Sequence, residues 1–270
     1  MLIPSGKKIK TDEKFDSDEA NSRFMNHVFV RLVAMRKKFT RVDFRYSYFD
    51  NCYLRDCHFD SCDFTGCRFV NTQLPGAKFS GCKFDYATFD KTLIDPNILD
   101  TECPGLENIK SRFARTLRTN FQQLGDAPAA NKAMKVELSA TEVHLKKAWY
   151  SNESYYRSHH PGALGRIKAF LAWFEFKTLD LVWGNGENLF RLIRSVLVVL
   201  MLMTVGDAIY HGDPRLISTY FVSFKNSFEV FFGTLTPDEY GKGYLALLTC
   251  IRLVVVGFFL SIIIKKFNRR

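Results

Sequence analysis

The sequence predicts a β-solenoid, followed by a basic α-helical hairpin and a membrane unit with two apolar helices. Three observations support this fold class. Large apolar residues recur at every fifth position over residues 39–94, the apolar spacing changes to three and four after residue 104, and two apolar runs of about twenty residues lie near the C-terminus. A helix repeats every 3.6 residues and a strand every 2, so a period of five belongs to neither.

Each five-residue repeat of the first region has one large and one small apolar position. The small residue stands two positions before the large one, as Cys62 does before Phe64. Two inward residues in five indicate a solenoid whose wall turns a corner at each repeat. If four sides close one turn, residues twenty apart must stack at about 4.8 Å. The large positions are Phe39, Phe44, Phe49, Leu54, Phe59, Phe64, Phe69, Leu74, Phe79, Phe84, Phe89 and Ile94.

These residues resemble the pentapeptide-repeat family, which implies a right-handed quadrilateral β-helix; we assign it to residues 21–100. The resemblance is strong over residues 39–94 and fades toward Phe24, where a cap is expected. It implies a fold and not a function. Residues 1–20 lack the apolar core of a signal peptide, and we expect them to be a disordered N-terminus.

Charge and cysteine usage exclude several function classes. The net charge is +10, yet residues 39–94 carry seven basic and seven acidic residues. This neutral surface argues against the acidic DNA mimics of this family that bind topoisomerases, and no duplex DNA binding is expected. Five cysteines occupy inward positions of the solenoid, which predicts buried free thiols in a reducing compartment. No His or Cys spacing suits catalysis or a metal, so we expect no enzyme, no cofactor and no metal site.

A basic helical hairpin linker is predicted over residues 104–160. Leu106, Phe113 and Phe121 mark one amphipathic helix, and a small-residue face from Ala129 to Val143 marks a second. Residues 104–194 hold 14 basic and 8 acidic residues, which is consistent with an anionic nucleotide or oligonucleotide, with anionic lipid, or with a solvated basic face. The ligand-binding candidates are Arg112, Arg115, Arg118, Lys132 and Lys135.

Residues 165–184 are rich in Phe, Leu and Trp but too charged to cross a bilayer. We expect either an interfacial helix with Trp173 and Trp183 at headgroup level, or a helix packed on the cytoplasmic domain.

Two apolar runs, residues 189–210 and 244–264, each have about the 20 residues that a helix needs to span about 30 Å of hydrocarbon. Basic residues precede the first run and follow the second, whereas the segment between them carries acidic residues. The positive-inside rule therefore predicts that both termini are cytoplasmic. A buried hairpin of a soluble protein is the alternative.

The segment between the spans predicts a pore. A short aromatic helix precedes "TLTPDEYG", which gives a re-entrant loop over residues 219–243. Residues 189–270 resemble the two-transmembrane bacterial ion-channel family, whose motif "TLTTVGYG" aligns in register. The resemblance implies a homotetramer in the bacterial inner (plasma) membrane, in contact with lipid and permeant cations. The pore and filter candidates are Thr234, Thr236, Asp238, Glu239, Tyr240 and Gly241.

The filter departs from the potassium-channel pattern, because Pro237, Asp238 and Glu239 stand where Thr, Val and the first Gly would be. Without that glycine, a row of carbonyl sites is not expected, and a carboxylate ring predicts a weakly selective cation pore. Arg252 and Gly257 are gating candidates. Arg252 would either pair with a carboxylate such as Glu229 or Asp207, or line the pore.

Together these features predict an ion channel regulated by its cytoplasmic repeat and helical domain. It looks like membrane effectors of anti-phage defence, which implies gating by a ligand that signals infection. The alternative is a membrane-tethered scaffold or interaction protein without conductance.

Overall fold

The computed structural model describes residues 7–186, 188–237 and 240–267, with only the backbone at residue 266. The chain divides into two compact units, Met1–Ala169 and Phe170–Arg270.

The first unit begins with a β-solenoid of about four turns. Its short strands pair in parallel with strands about twenty residues away, as in Phe49 with Phe69 and Phe69 with Phe89. One sheet has the order β1-β3-β6-β9-β11, a second β10-β8-β5-β2, and a third β4-β7. The strands are β1 (Lys8–Thr11), β2 (Glu19–Ala20), β3 (His27–Val30), β4 (Val33–Met35), β5 (Lys38–Thr40), β6 (Tyr48–Asp50), β7 (Tyr53–Arg55), β8 (His58–Asp60), β9 (Arg68–Val70), β10 (Lys78–Ser80) and β11 (Thr88–Asp90).

Stacked phenylalanine rings fill the solenoid, as the twenty-residue spacing predicted. Ring centroids of Phe44 and Phe64 lie 5.1 Å apart, and those of Phe64 and Phe84 lie 5.0 Å apart. The columns through Phe39 and Phe49 repeat this arrangement. A ring in the middle of a column therefore contacts the coils before and after its own, and the core is continuous along the solenoid.

The inward cysteines are buried free thiols, as predicted. The Sγ of Cys52 lies 3.4 Å from the carbonyl oxygen of Phe29, and Cys67 makes the matching contact with Phe44 at 2.9 Å. Burial raises the pKa of the Cys52 thiol to about 11 and raises that of Cys67 further. These thiols act as small core residues that also donate weak hydrogen bonds.

The N-terminal segment differs from the prediction. Residues 1–20 were expected to be disordered, whereas β1 and β2 lie within that range and pair with β3 and β5; residues 1–6 lie outside the described residues. Phe15 explains the difference, because its ring packs edge-on against Phe24 and Phe39 at 5.6 and 5.3 Å. An extra coil thus covers the end of the phenylalanine columns without keeping the five-residue sequence pattern.

Two helices close the other end of the solenoid. These are the short α1 (Ile98–Thr101) and the longer α2 (Glu107–Gln123). The backbone N–H groups of the last coil donate to side chains: Phe89 to Thr116 at 3.0 Å, and Thr92 to Asn120 at 2.7 Å. A sheet edge covered in this way cannot pair with another chain.

The predicted helical hairpin is formed by α2 and α3 (Ala127–Tyr150). Asp126 caps α3 by accepting a hydrogen bond from the N–H of Ala129 at 3.0 Å. A further short helix, α4 (Ser154–His159), follows, and α5 (Gly162–Trp183) begins in this unit.

The second unit contains the end of α5 and three more helices. They are α6 (Leu189–His211), α7 (Ile217–Phe232) and α8 (Lys242–Phe267). The indole of Trp183 stacks on the ring of Phe258 in α8, with centroids 4.0 Å apart, and Arg191 forms an ion pair with Asp180 at 2.5 Å. The end of α5 is therefore fixed to the helices of this unit.

Candidate functional site

Helices α6 and α8 match the two predicted spans. By length and composition, Leu189–His211 and Lys242–Lys265 could each cross a membrane. Their apolar side chains are largely exposed in the single chain, with Leu202 at 68% and Leu253 at 65%. The core helix of a soluble protein would instead be buried, so these helices leave an apolar surface to be covered from outside.

The segment between the spans is a short helix followed by an extended turn. Helix α7 has 16 residues, which corresponds to about 24 Å of length. Its small side chains Ser223 and Ser227 are buried, and Gly233 ends it in the left-handed conformation with φ of 78°. The chain then leaves the helical path at Thr234.

The turn after α7 is held by one carbonyl. The oxygen of Glu229 accepts hydrogen bonds from the N–H and hydroxyl of Thr234, at 2.9 and 3.0 Å, and from the N–H of Leu235 at 3.3 Å. Thr236 is in the same non-helical stretch, and its side chain is exposed. Asp238 and Glu239, the predicted carboxylate ring, lie outside the described residues.

Tyr240 is anchored to α6. Its hydroxyl donates a hydrogen bond to Asp207, and its ring meets that of His211 edge-on at 5.1 Å. Nδ1 of His211 lies 3.3 Å from the same carboxylate, and Gly241 lines the adjoining cavity of about 530 Å³. The predicted filter residues Tyr240 and Gly241 thus lie beside a titratable cluster that the sequence analysis did not identify. A signal was present, since Asp207 and His211 are one helical turn apart at the end of an apolar run.

Arg252 does not have the expected carboxylate partner. Within the described ranges, Asp207 is engaged by Tyr240 and His211, and Glu229 lies 3.9 Å from Lys225, so neither pairs with Arg252. The guanidinium instead lies against Gly233, where the carbon of the group would be 3.0 Å from an added Cβ. A cation at the C-terminal end of α7 interacts favourably with the helix dipole, which accounts for its position.

Gly257, the other gating candidate, lies in open surroundings. An added Cβ there would meet no atom of the described chain within 4 Å. Arg252 also borders an apolar cavity of about 460 Å³ between α6, α7 and α8. The two gating candidates therefore differ, because Arg252 contacts another helix whereas Gly257 has room for a side chain.

The predicted ligand-binding residues do not form a single cluster. Arg115 and Arg118 both pair with Glu137 of α3, at 2.8 and 2.9 Å. Lys132 pairs with Asp100 at 2.6 Å, and Lys135 is exposed. Arg112 lies over the ring of Tyr86 and, together with Arg115, borders a groove beside the solenoid.

Comparison with known proteins supports the prediction of pentapeptide repeats in the first region of the chain. A family model described as pentapeptide repeats, in nine copies, matches residues 44–95. No curated protein matches the chain. Pentapeptide repeats therefore form the solenoid over residues 44–95, and two apolar helices that could span a membrane follow it.

Proposed function

We propose that this chain is the subunit of a homotetrameric ion channel of the bacterial inner membrane. The observation that carries the proposal is the short helix α7 and the non-helical turn after it, which lie between two helices of spanning length. The solenoid and hairpin regulate the pore from the cytoplasm. The right-handed, four-sided course of the solenoid is part of the same proposal and is supported by the twenty-residue pairing.

The exposed apolar surface supports the membrane environment. Phe221 of α7 is 74% exposed and Ile217 is 76% exposed, in addition to the apolar faces of α6 and α8. Such continuous apolar surfaces are rare on soluble monomers and are covered by lipid or by other subunits. Arg191 and Arg194 in the first turns of α6, and the basic residues at and after the end of α8, give both ends of the two spans a cytoplasmic orientation.

The turn after α7 supports a pore rather than a simple anchor. A helix of about 24 Å is shorter than the 30 Å or so of a hydrocarbon core, and irregular backbone at that depth must be buried in protein or line water. Four copies around an axis would bury α7 against neighbours and would direct the turn toward a shared aqueous path. A tether without conductance needs no such segment.

The pore is a weakly selective cation path. Pro237, Asp238 and Glu239 replace the residues that form carbonyl sites in potassium filters. Fourfold rings of carboxylates would concentrate cations and repel anions, with little choice between potassium and sodium. An anionic nucleotide or oligonucleotide is the proposed gating signal, consistent with a role in anti-phage defence, and the basic hairpin is the proposed receiver.

The test is ion flux through the purified full-length chain in planar bilayers, with the reversal potential measured under a salt gradient. We expect cation-selective currents with similar permeability for potassium and sodium. The double variant Asp238→Asn with Glu239→Gln should lose the cation preference, whereas Lys225→Gln, on the exposed face of α7, serves as the charge control. Silence of the wild type with nucleotides and oligonucleotides present would instead identify a membrane-tethered scaffold.

A further inference from the structure

An open groove of about 800 Å³ lies where α2 crosses the outside of the last solenoid coils. Strands β9 and β11 form one wall, and the exposed side of α2 forms the other. This volume suits a small molecule and not a duplex. All of its lining residues belong to the first unit of the chain.

Three arginines from two different elements border the groove. Arg68 comes from β9, and Arg112 and Arg115 come from α2, one helical turn apart. All three side chains are exposed. Asp90 is the one carboxylate among the residues that border the groove in the described chain, so basic groups outnumber acidic ones three to one.

Each arginine is supported by a neighbouring side chain. The guanidinium of Arg68 lies over the ring of Tyr48, and that of Arg112 over the ring of Tyr86, both at 5.8 Å from the ring centroid. Arg115 donates from Nε to Glu137 at 2.8 Å while its side chain stays 60% exposed. Guanidinium groups fixed in this way lose less conformational entropy when they bind an anion.

The floor of the groove is rigid because the solenoid cap forms it. Thr116 accepts the N–H of Phe89 at 3.0 Å, and the side-chain oxygen of Gln123 accepts the N–H of Lys91 at 3.2 Å. The amide nitrogen of Gln123 and the exposed hydroxyl of Thr88 add polar groups to the same surface. The basic residues are therefore placed by the packing that closes the solenoid.

We propose that this groove binds a phosphate-bearing small molecule, with Arg68, Arg112 and Arg115 as its anion-binding residues. Guanidinium groups form paired hydrogen bonds with phosphate oxygens, and three of them suit a ligand with at least two negative charges. Nucleotides belong to this class, as do lipid headgroups. That binding regulates a pore rests on the function proposed above, whereas the binding site itself does not.

The site is tested on the full-length chain in nanodiscs of phosphatidylcholine, by calorimetric titration with inorganic pyrophosphate and with adenosine triphosphate. We expect saturable binding that weakens as salt rises. Arg68→Ala and Arg112→Ala should each weaken binding about tenfold or more, the effect of removing a charge-assisted contact. Arg112→Lys should keep part of the affinity, and Lys78→Ala, on the exposed face of β10 outside the groove, should leave it unchanged. Because both arginines are exposed, unchanged thermal unfolding confirms that the variants fold.

A second arm separates a soluble ligand from a lipid. Co-flotation with phosphatidylglycerol vesicles is measured for the wild type and for Arg68→Ala with Arg112→Ala, each held in phosphatidylcholine nanodiscs so that the apolar helices are already covered. Binding of pyrophosphate in neutral nanodiscs identifies a soluble phosphate ligand, and vesicle binding that depends on both arginines without pyrophosphate binding identifies a headgroup. Either result supports the site. No binding in both arms, or equal binding by the wild type and the double variant, overturns it.

The two proposals fail separately. Phosphate binding to a chain that never conducts would support the proposed binding groove and overturn the proposed channel function. Conductance by a chain that binds no phosphate would support the proposed channel function and overturn the proposed binding groove.

Discussion

The two units of this chain differ in where their apolar surface is buried. In the solenoid, Phe64 is 1% exposed and contacts rings in the coils on both sides. In the second unit, Leu202, Phe221 and Leu253 expose 65–74% of their surface. The first unit therefore completes its core with its own residues, whereas the second needs lipid or further subunits.

Polar backbone groups show the same difference between the units. The open edge of the last coil is closed by Thr116 and Asn120 of the same chain. In the second unit, the turn after Gly233 is fixed by only a few local hydrogen bonds, and the residues that follow would need neighbours or water. One chain is enough for the solenoid, and an assembly is expected for the apolar helices.

The largest expected effect is the loss of a core ring. Phe64→Ala should destabilise the solenoid by about 3–5 kcal/mol, because it removes contacts on two sides and leaves a cavity. Leu202→Ala, the matched change on an exposed face of α6, should cost below about 0.5 kcal/mol in detergent. Urea unfolding followed by alkylation of the buried solenoid thiols measures the first change, and the loss of helical circular dichroism in detergent measures the second. Equal losses would remove the contrast between the units.

The next effect concerns the closed edge. Asn120 accepts the N–H of Thr92 and donates to its carbonyl at 2.8 Å, and Asn120 and Thr92 are both fully buried. Asn120→Ala should cost about 3 kcal/mol, because two buried backbone groups lose their partner. Thr119→Ala, on the exposed side of the same helix, should change the free energy of unfolding little. If Asn120→Ala left the free energy of unfolding unchanged, the edge would have to be closed in another way.

A smaller effect is expected at the contact between Gly233 and Arg252. Gly233→Ala should cost about 2 kcal/mol, since a Cβ is strained at positive φ and would displace the guanidinium. Adding Arg252→Ala should restore the part caused by the overlap and leave the part caused by the backbone. Gly257→Ala, where there is space for a Cβ, is the control. Thermal unfolding in detergent measures the set, and additive losses would show that Gly233 and Arg252 do not interact.

The solenoid was predictable from the sequence because its core residues recur at a fixed period. A phenylalanine at every fifth position must stack at a spacing of twenty, whatever the outward residues are. The sequence did not show Phe15 in the first coil, because the neighbouring small residue is absent there. Nor did it show that Arg41 and Tyr46 adopt positive φ, since those residue types do not favour the left-handed region that Gly66 enters easily.

The candidate sites were predictable only in part, for a different reason. Arg112 and Arg115 were identified by the charge of their helix. Arg68 lies in a segment with balanced charge, and only the folding of the solenoid brings it beside the other two arginines. Arg252 was expected either to pair with a carboxylate or to line the pore, and its neighbour among the described residues is Gly233 at a helix end, which has no side chain. Sequence spacing identifies side-chain pairs and does not show such backbone partners.

The smallest effect belongs to the ion pairs outside the solenoid core. Asp43 accepts two hydrogen bonds from the guanidinium of Arg45, at 2.9 Å each, and the pKa of Asp43 is lowered from 3.8 chiefly by these bonds. A carboxyl with a lowered pKa stabilises the fold above its unfolded value, and the contribution is lost as the pH falls through the folded value.

The stability of the solenoid should therefore fall below about pH 4, by less than about 1 kcal/mol from this pair because it is partly exposed and screened. Asp43→Asn should remove this part of the pH dependence, and Arg45→Met should reduce it by returning the pKa of Asp43 toward 3.8. Urea unfolding between pH 3 and pH 6 compares the three proteins, with the exposed solenoid thiols detected by a pyridyl disulfide, a reagent that still reacts with thiols in acid. If the free energy of unfolding of Asp43→Asn falls with pH as steeply as that of the wild type, this pair contributes nothing to the acid sensitivity. The stability of the solenoid would then depend on its phenylalanine columns even more completely than the difference between the two units implies.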